Sequence, residues 1–196
     1  ASGRAGTVLS VCVEICSAAM YLDDDPGVLI SACLFGDGAG AAILTAAPVS
    51  GRRRIEWKRA GTLMSTGDRD ELRFERRRGM LRNILTTAVP SLAAKHVEQV
   101  LTDGLARNEI ARDDISGWIL HAGGREILSA IRQRLGLSEE QTRWSAAILR
   151  DYGNVSSPCV YFVLQAALEE RAPGGYWWMS SFGAGFSCHG VLLAVE

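Results

Sequence analysis

Apolar positions change their spacing several times along the 196-residue chain, and each change marks a predicted element. Thr7–Glu14 is β-branched and apolar, which predicts a short strand in the middle of a sheet. The breaker-rich run Asp23-Asp24-Asp25-Pro26-Gly27 predicts a turn, solvated rather than cation-binding. Residues 28–35 predict a short helix that carries Ser31 and Phe35 toward a cavity. Gly36-Asp37-Gly38-Ala39-Gly40 follows at once, and residues 41–45 predict a strand. That order excludes a dinucleotide loop, which needs a strand before the glycines and a helix after them. Close packing of backbone against another segment accounts for these glycines instead. Residues 54–65 predict another strand. The polar run 66–78, with Arg73, Arg76, Arg77 and Arg78, predicts a solvated excursion, with a phosphate-docking patch as the alternative. Residues 79–107 predict a helix, with Pro90 near its start or at a kink.

The second half has sharper signals. Residues 115–120 predict a buried strand running into His121-Ala122-Gly123-Gly124. Arg125–Leu135 predicts a helix with Ile127, Leu128 and Ile131 on one face. Ser138-Glu139-Glu140-Gln141 has the spacing of a capping box and predicts a helix start reaching to about residue 149. Gly153 turns the chain, Ser157 is a predicted N-cap, and Pro158 falls at the first position of a buried helix over 159–170. Strands are predicted over 176–180 and 186–194, joined through Ser181-Phe182-Gly183-Ala184-Gly185. The order implies one layered α/β domain over residues 1–196.

Composition narrows the function classes. An apolar fraction of 47% and 21 glycines suit a packed α/β domain, and a net charge of −1 favours neither nucleic acid nor an acidic membrane as partner. No signal peptide or membrane span is visible. Cys12, Cys16, Cys33, Cys159 and Cys188 each lie in an apolar run without CxxC spacing, which predicts buried reduced thiols in a cytoplasmic protein. No His or Cys pair has ligand spacing, so no metal site is expected.

Two residues share a setting suited to chemistry. His121 and Asn154 each lie on a glycine-containing loop beside a helix start, His121 at the carboxyl end of a strand. An imidazole and a carboxamide brought to one point supply two N–H donors for a carbonyl oxygen that becomes anionic. His96, on a predicted helix surface, and His189, within a predicted strand, lack that setting and read as structural.

Four motifs then occur in order: Leu34-Phe35-Gly36-Asp37-Gly38-Ala39, Trp118-Ile119-Leu120-His121-Ala122-Gly123-Gly124, Tyr152-Gly153-Asn154-Val155-Ser156-Ser157, and Ser181-Phe182-Gly183-Ala184-Gly185. Together they resemble the C-terminal part of the type III polyketide synthases, the chalcone and stilbene synthase family. The resemblance implies a thiolase-like fold of two similar halves in αβαβα layers, working as a cytoplasmic homodimer. It implies decarboxylation of malonyl-CoA and addition of the resulting carbanion to a starter acyl group, delivered from an acyl-CoA and held on a cysteine. Coenzyme A thioesters would be the substrates, with no further cofactor. By motif, His121 and Asn154 match the catalytic pair, Phe35 a gatekeeper, and Gly123 a glycine beside the CoA arm. Ser156 and Phe182 match positions at the cavity.

The departures are also informative. In the family the nucleophilic cysteine precedes the segment matched here, so this chain is expected to lack it, to be inactive alone, and to expose an apolar face meant for an N-terminal half. Ala19 and Ser31 stand where plant members usually carry Thr and Gly, the first widening and the second narrowing the cavity. The Pro of the plant GFGPG loop is also missing from 181–185. These features resemble bacterial branches making alkylresorcinols, pyrones or dihydroxyphenylacetate-type products. The alternatives are a β-ketoacyl-carrier-protein synthase of the same superfamily and a non-catalytic dimerisation domain.

Overall fold

Alternation along three adjacent strands divides the core in two. A computed structural model describes residues 5–19, 21, 24, 26–107 and 109–196. In it β3 (Ile55–Met64), β6 (Ile115–Leu120), β7 (Gly175–Gly183) and β8 (Ser187–Val195) form a sheet of order β3-β8-β7-β6. β6 and β7 run parallel and the other two pairs antiparallel. Trp118, Leu120, Trp178 and Leu192 face one way, onto α2 (Val89–Ala106) and α3 (Arg125–Leu135). Ile119, Trp177, Val191 and Leu193 face the other way, onto α4 (Arg143–Tyr152) and α5 (Cys159–Glu169). The period of two thus puts Trp178 into the first layer and its neighbour Trp177 into the second.

Close approach explains two glycines of the core. A Cβ on Gly190 would lie 2.2 Å from Cζ2 of Trp178 and 2.8 Å from Cγ1 of Val100, while Gly104 of α2 faces the same indole ring. Trp178 is fully enclosed and has nowhere to move. Gly190→Ala is therefore expected to destabilise the protein by about 3 kcal/mol, at the upper end of overpacking costs. A lower urea midpoint with unchanged m-value would show it.

On the far side of α5, β1 (Thr7–Glu14) and β2 (Gly38–Thr45) make a separate antiparallel pair. Gly38 and Gly40 let this pair approach within van der Waals distance of Val155 and Tyr161, and the Ser10 and Tyr161 hydroxyls hydrogen-bond at 2.6 Å. A Cβ on Gly36 would meet the Tyr152 carbonyl oxygen at 2.7 Å. The glycines of 36–40 are packing glycines, as their context indicates. The layers thus alternate helix, sheet, helix, sheet. The outer face of the last layer carries Leu9, Val11, Val13 and Ile43, each more than half exposed (63%, 56%, 58% and 70%). A contiguous apolar face of this kind is built to be covered.

Several elements differ from their sequence reading. Residues 72–85, expected as excursion and helix start, form a hairpin of β4 (Leu72–Arg77) and β5 (Met80–Leu85). Its two-residue turn, Arg78-Gly79, has positive φ at both positions (52° and 81°). This is the geometry hairpins favour, here without the Asn-Gly signal that usually announces it. Arg82 pairs with Glu75 across that hairpin, and Arg73 pairs with the same Glu75 along β4. α2 starts only at Val89, with Pro90 in its first turn. The capping box forms, with Ser138 and Gln141 exchanging hydrogen bonds of 2.9 and 3.2 Å, but it opens a 3-10 turn and α4 begins at Arg143. Ser157 caps nothing. Pro158 holds the N-cap position of α5 without a side-chain bond.

The cysteines also depart from expectation. Cys159 and Cys188 are buried, but Cys33 is exposed and Cys12 and Cys16 are half-buried, all of them free thiols. His96 is buried inside α2 rather than on its surface, its Nε2 2.9 Å from Asp68 Oδ2. His189 is exposed on β8 beside Thr62, the bland role expected of it. Within the triple-Asp turn, only Asp24 is a described residue. Among the described residues no helix is long and apolar enough to cross a membrane, and no group of His, Cys, Asp or Glu is placed to hold a metal ion.

Candidate active site

Backbone pairing brings the two predicted loops together. α4 ends at Gly153, whose φ of +72° turns the chain and whose missing Cβ lets the Leu34 carbonyl oxygen approach. Asn154 then donates its backbone N–H to Leu34 O at 2.8 Å and accepts Gly36 N–H at 3.0 Å. Phe35 and Asn154 are thereby locked side by side at the end of α1 (Pro26–Leu34). On the other loop, His121 continues β6 and donates its backbone N–H to Ser180 O at 2.9 Å.

The two side chains meet at one glycine. Asn154 Nδ2 donates to the Gly123 carbonyl at 3.0 Å, and its Oδ1 accepts the Ser156 N–H at 2.9 Å. These bonds fix the amide and leave its second Nδ2 hydrogen available. His121 Nε2 is only 3.4 Å from where a Cβ on Gly123 would stand. A side chain there would therefore press on the imidazole. Asn154 and His121 are 4% and 7% exposed, so water has little access to either donor.

Burial sets the charge state. The His121 pKa is pushed down to about 4 by desolvation, since no carboxylate stands nearby to favour the charged form. The imidazole is neutral at physiological pH and carries one N–H available to donate. Cys159 lies under the same loop beside Ala122, but desolvation pushes its thiol up to about 11, so it is a core side chain and not a thiolate.

An open cleft of about 550 Å³ borders this point. Leu29, Ile30, Leu34, Leu85, Val89 and Ile127 make its apolar wall, with Gly123 and Gly124 on the loop and Arg125 beside them. Its mostly apolar lining suits an apolar ligand group. Phe35 is half-buried at the junction, and Phe182 packs on the His121 ring with centroids 5.0 Å apart. Ser156 adopts a positive φ of 57° and serves through its backbone N–H. Ser31 is half-buried with its hydroxyl unpartnered among the described residues. The side chain of Ala19 lies outside the described part. Leu85, at the end of β5, and Thr86, just after it, also line the cleft, and the sequence pattern does not predict the hairpin that brings them there.

Comparison with known proteins gives the family of the chain. The family model for chalcone and stilbene synthases, C-terminal domain, matches residues 72–195, and that for 3-oxoacyl-[acyl-carrier-protein] synthase III matches residues 1–61. A 3,5-dihydroxyphenylacetyl-CoA synthase from Amycolatopsis orientalis is 32% identical over 97% of this chain and 52% of its own length. The corresponding enzyme of Streptomyces toyocaensis is 31% identical over 93% of this chain and 49% of its own. Among solved structures, PKS-I from the brown alga Ectocarpus siliculosus superposes with a TM-score of 0.85 at 32% identity, covering 97% of this chain and 53% of that one. The 1,3,6,8-tetrahydroxynaphthalene synthase of Streptomyces coelicolor A3(2), a bacterial type III polyketide synthase, gives 0.85 at 25% identity over 97% and 54%. The chain thus spans about half the length of the curated relatives it matches. Its α/β layers are those of the thiolase-like fold, and by motif, family model and superposition alike the chain belongs to the chalcone and stilbene synthase family of type III polyketide synthases.

Proposed function

We propose that this chain supplies the oxyanion-binding half of an enzyme that condenses malonyl-CoA onto a starter acyl thioester. The observation carrying this reading is the convergence on Gly123: a neutral imidazole and a fixed carboxamide, both buried, border the same backbone at the end of an apolar cleft. The cleft takes the pantetheine arm of coenzyme A, and the thioester carbonyl comes to rest between His121 and Asn154.

The carboxylate carbon–carbon bond of malonyl-CoA breaks, carbon dioxide leaves, and the electron pair moves into an enolate. Its oxygen accepts hydrogen bonds from the His121 N–H and the free Nδ2–H of Asn154. Each preorganised donor is worth about 10²–10³ in rate. The enolate carbon then attacks the starter carbonyl, and the cysteine holding that starter leaves as a thiolate. On the family resemblance this cysteine belongs to an N-terminal half, which also covers the apolar face of β1 and β2. Phe35 excludes water and orients the acyl chain. The relatives' names support a small polyhydroxylated aromatic product of the dihydroxyphenylacetyl kind, and the family resemblance implies a homodimer.

The match of residues 1–61 to a carrier-protein synthase favours one second reading, in which the thioester arrives on a carrier protein. Radiolabelled malonyl-CoA and malonyl-carrier protein, offered separately to the full-length enzyme, discriminate the two. Carbon dioxide release and polyketide formation from the CoA ester are expected, with none from the 196-residue chain by itself. Turnover from the carrier thioester alone overturns the CoA assignment, and robust synthesis by the isolated chain overturns the need for a second half.

A further inference from the structure

The His121 imidazole lacks the usual device that orients a catalytic histidine. Such rings are ordinarily held by a carboxylate or carbonyl accepting from the second nitrogen. Among the described residues, neither ring nitrogen of His121 has a hydrogen-bond partner, and burial alone accounts for its shifted titration. Something else must fix the plane of the ring.

The contact that remains is aromatic. Phe182, near the end of β7, packs on His121 with centroids 5.0 Å apart and planes tilted by 59°. Its Cζ also stands 2.9 Å from where a Cβ on Gly123 would be. The ring thus bears on the imidazole and on the peptide whose carbonyl anchors Asn154. Behind it the support is rigid. Phe186 stacks on Phe182 at 6.0 Å with planes 14° apart, and is itself fully buried. Phe186 exchanges backbone hydrogen bonds with Ser65 at 2.8 and 3.1 Å. His96 closes the column from the other side, 5.4 Å from Phe186, with Nε2 2.9 Å from Asp68 Oδ2. The Ser65 hydroxyl donates to the same Asp68 oxygen at 2.6 Å.

We propose that Phe182 is the positioning residue of this site: its ring, backed by Phe186 and the His96–Asp68–Ser65 cluster, sets the plane of His121 and braces the Gly123 peptide that holds Asn154. The inference rests on the catalytic reading of His121 and Asn154 given above. It separates Phe182 from the residues that shape the product, since a brace acts on rate and a cavity wall acts on what is bound.

Phe182→Leu keeps apolar bulk and removes the flat ring. In the full-length enzyme, kcat for condensation is expected to fall at least tenfold, with KM for malonyl-CoA within twofold of wild type and the product spectrum unchanged. The freed imidazole is also expected to titrate at higher pH as water reaches it, followed through its Cε1 proton by NMR. That measurement needs no turnover, so it reads the brace even if the variant is inactive. Should Phe182→Leu fold poorly, Phe186→Leu, one layer back, is expected to give the same pattern with a smaller fall in kcat. A wild-type kcat, or a changed KM or product length at unchanged kcat, overturns the proposal and returns Phe182 to the cavity wall. A His121→Ala enzyme that remains fully active defeats the catalytic reading instead, so the two failures are distinguishable.

Discussion

His121→Ala in the full-length enzyme is expected to lower polyketide formation by at least 10²–10³-fold while leaving the fold intact. The lower bound is the loss of one preorganised donor to the enolate oxygen, about 3–4 kcal/mol of transition-state stabilisation. Folding survives because the imidazole makes no hydrogen bond within the described residues, so its removal orphans no buried partner. Asn154 contrasts with it. Its amide satisfies the Gly123 carbonyl and the Ser156 N–H, so truncating that side chain damages loop and chemistry together. His121 is therefore the cleaner probe. Decarboxylation of malonyl-CoA, followed as released carbon dioxide, should fall in parallel with condensation, because both pass through the same oxyanion. Unchanged decarboxylation alongside lost condensation would place His121 at the starter thioester alone.

How far this site was legible depends on what kind of signal carried each part. His121 and Asn154 stand out because each follows a clear period and sits beside glycines that a turn requires; Gly153, with its positive φ, is such a residue. The tryptophans of β7 declare a two-faced sheet in the same way, since adjacent large apolar residues in a short strand need cover on both sides. What stayed hidden was tertiary. The hairpin of β4 and β5 turns through Arg78-Gly79, and an arginine with positive φ leaves no mark in a sequence. Its Leu85 and Thr86, which line the cleft, were lost with it. His96 looked like a surface residue because helix spacing alone does not say that Asp68 arrives from a distant 3-10 turn to satisfy it. The role of Phe182 behind the imidazole has the same origin. It exists only because β7 runs parallel to β6 and carries residue 182 alongside residue 121.

Acid sensitivity should be traceable to the same histidine. Desolvation lowers the His121 pKa from 6.5 to about 4 in the folded protein, whereas the unfolded chain titrates near the ordinary value. Between these two pH values the unfolded state binds the proton and the folded state does not. The contribution to stability is thus fully present above pH 6.5, is lost progressively as pH falls toward 4, and changes no further below that. A shift of this size corresponds to about 3 kcal/mol. His121→Gln carries no titrating group, so the difference in unfolding free energy between it and wild type should move by that amount between pH 7 and pH 4. A difference that stays constant across this window would mean that His121 is solvated, or already paired with an anion. The second possibility bears on mechanism. An imidazolium–thiolate pair with the starter-bearing cysteine needs the pKa lifted by several units, which a thiolate within a few ångströms can supply. Blocking that cysteine with iodoacetamide in the full-length enzyme would then return His121 to the low value set by burial. On the proposed mechanism the imidazole would be neutral when the enolate oxygen needs a donor and charged only beside the thiolate, and recovery of the low His121 pKa after blocking is the expected result.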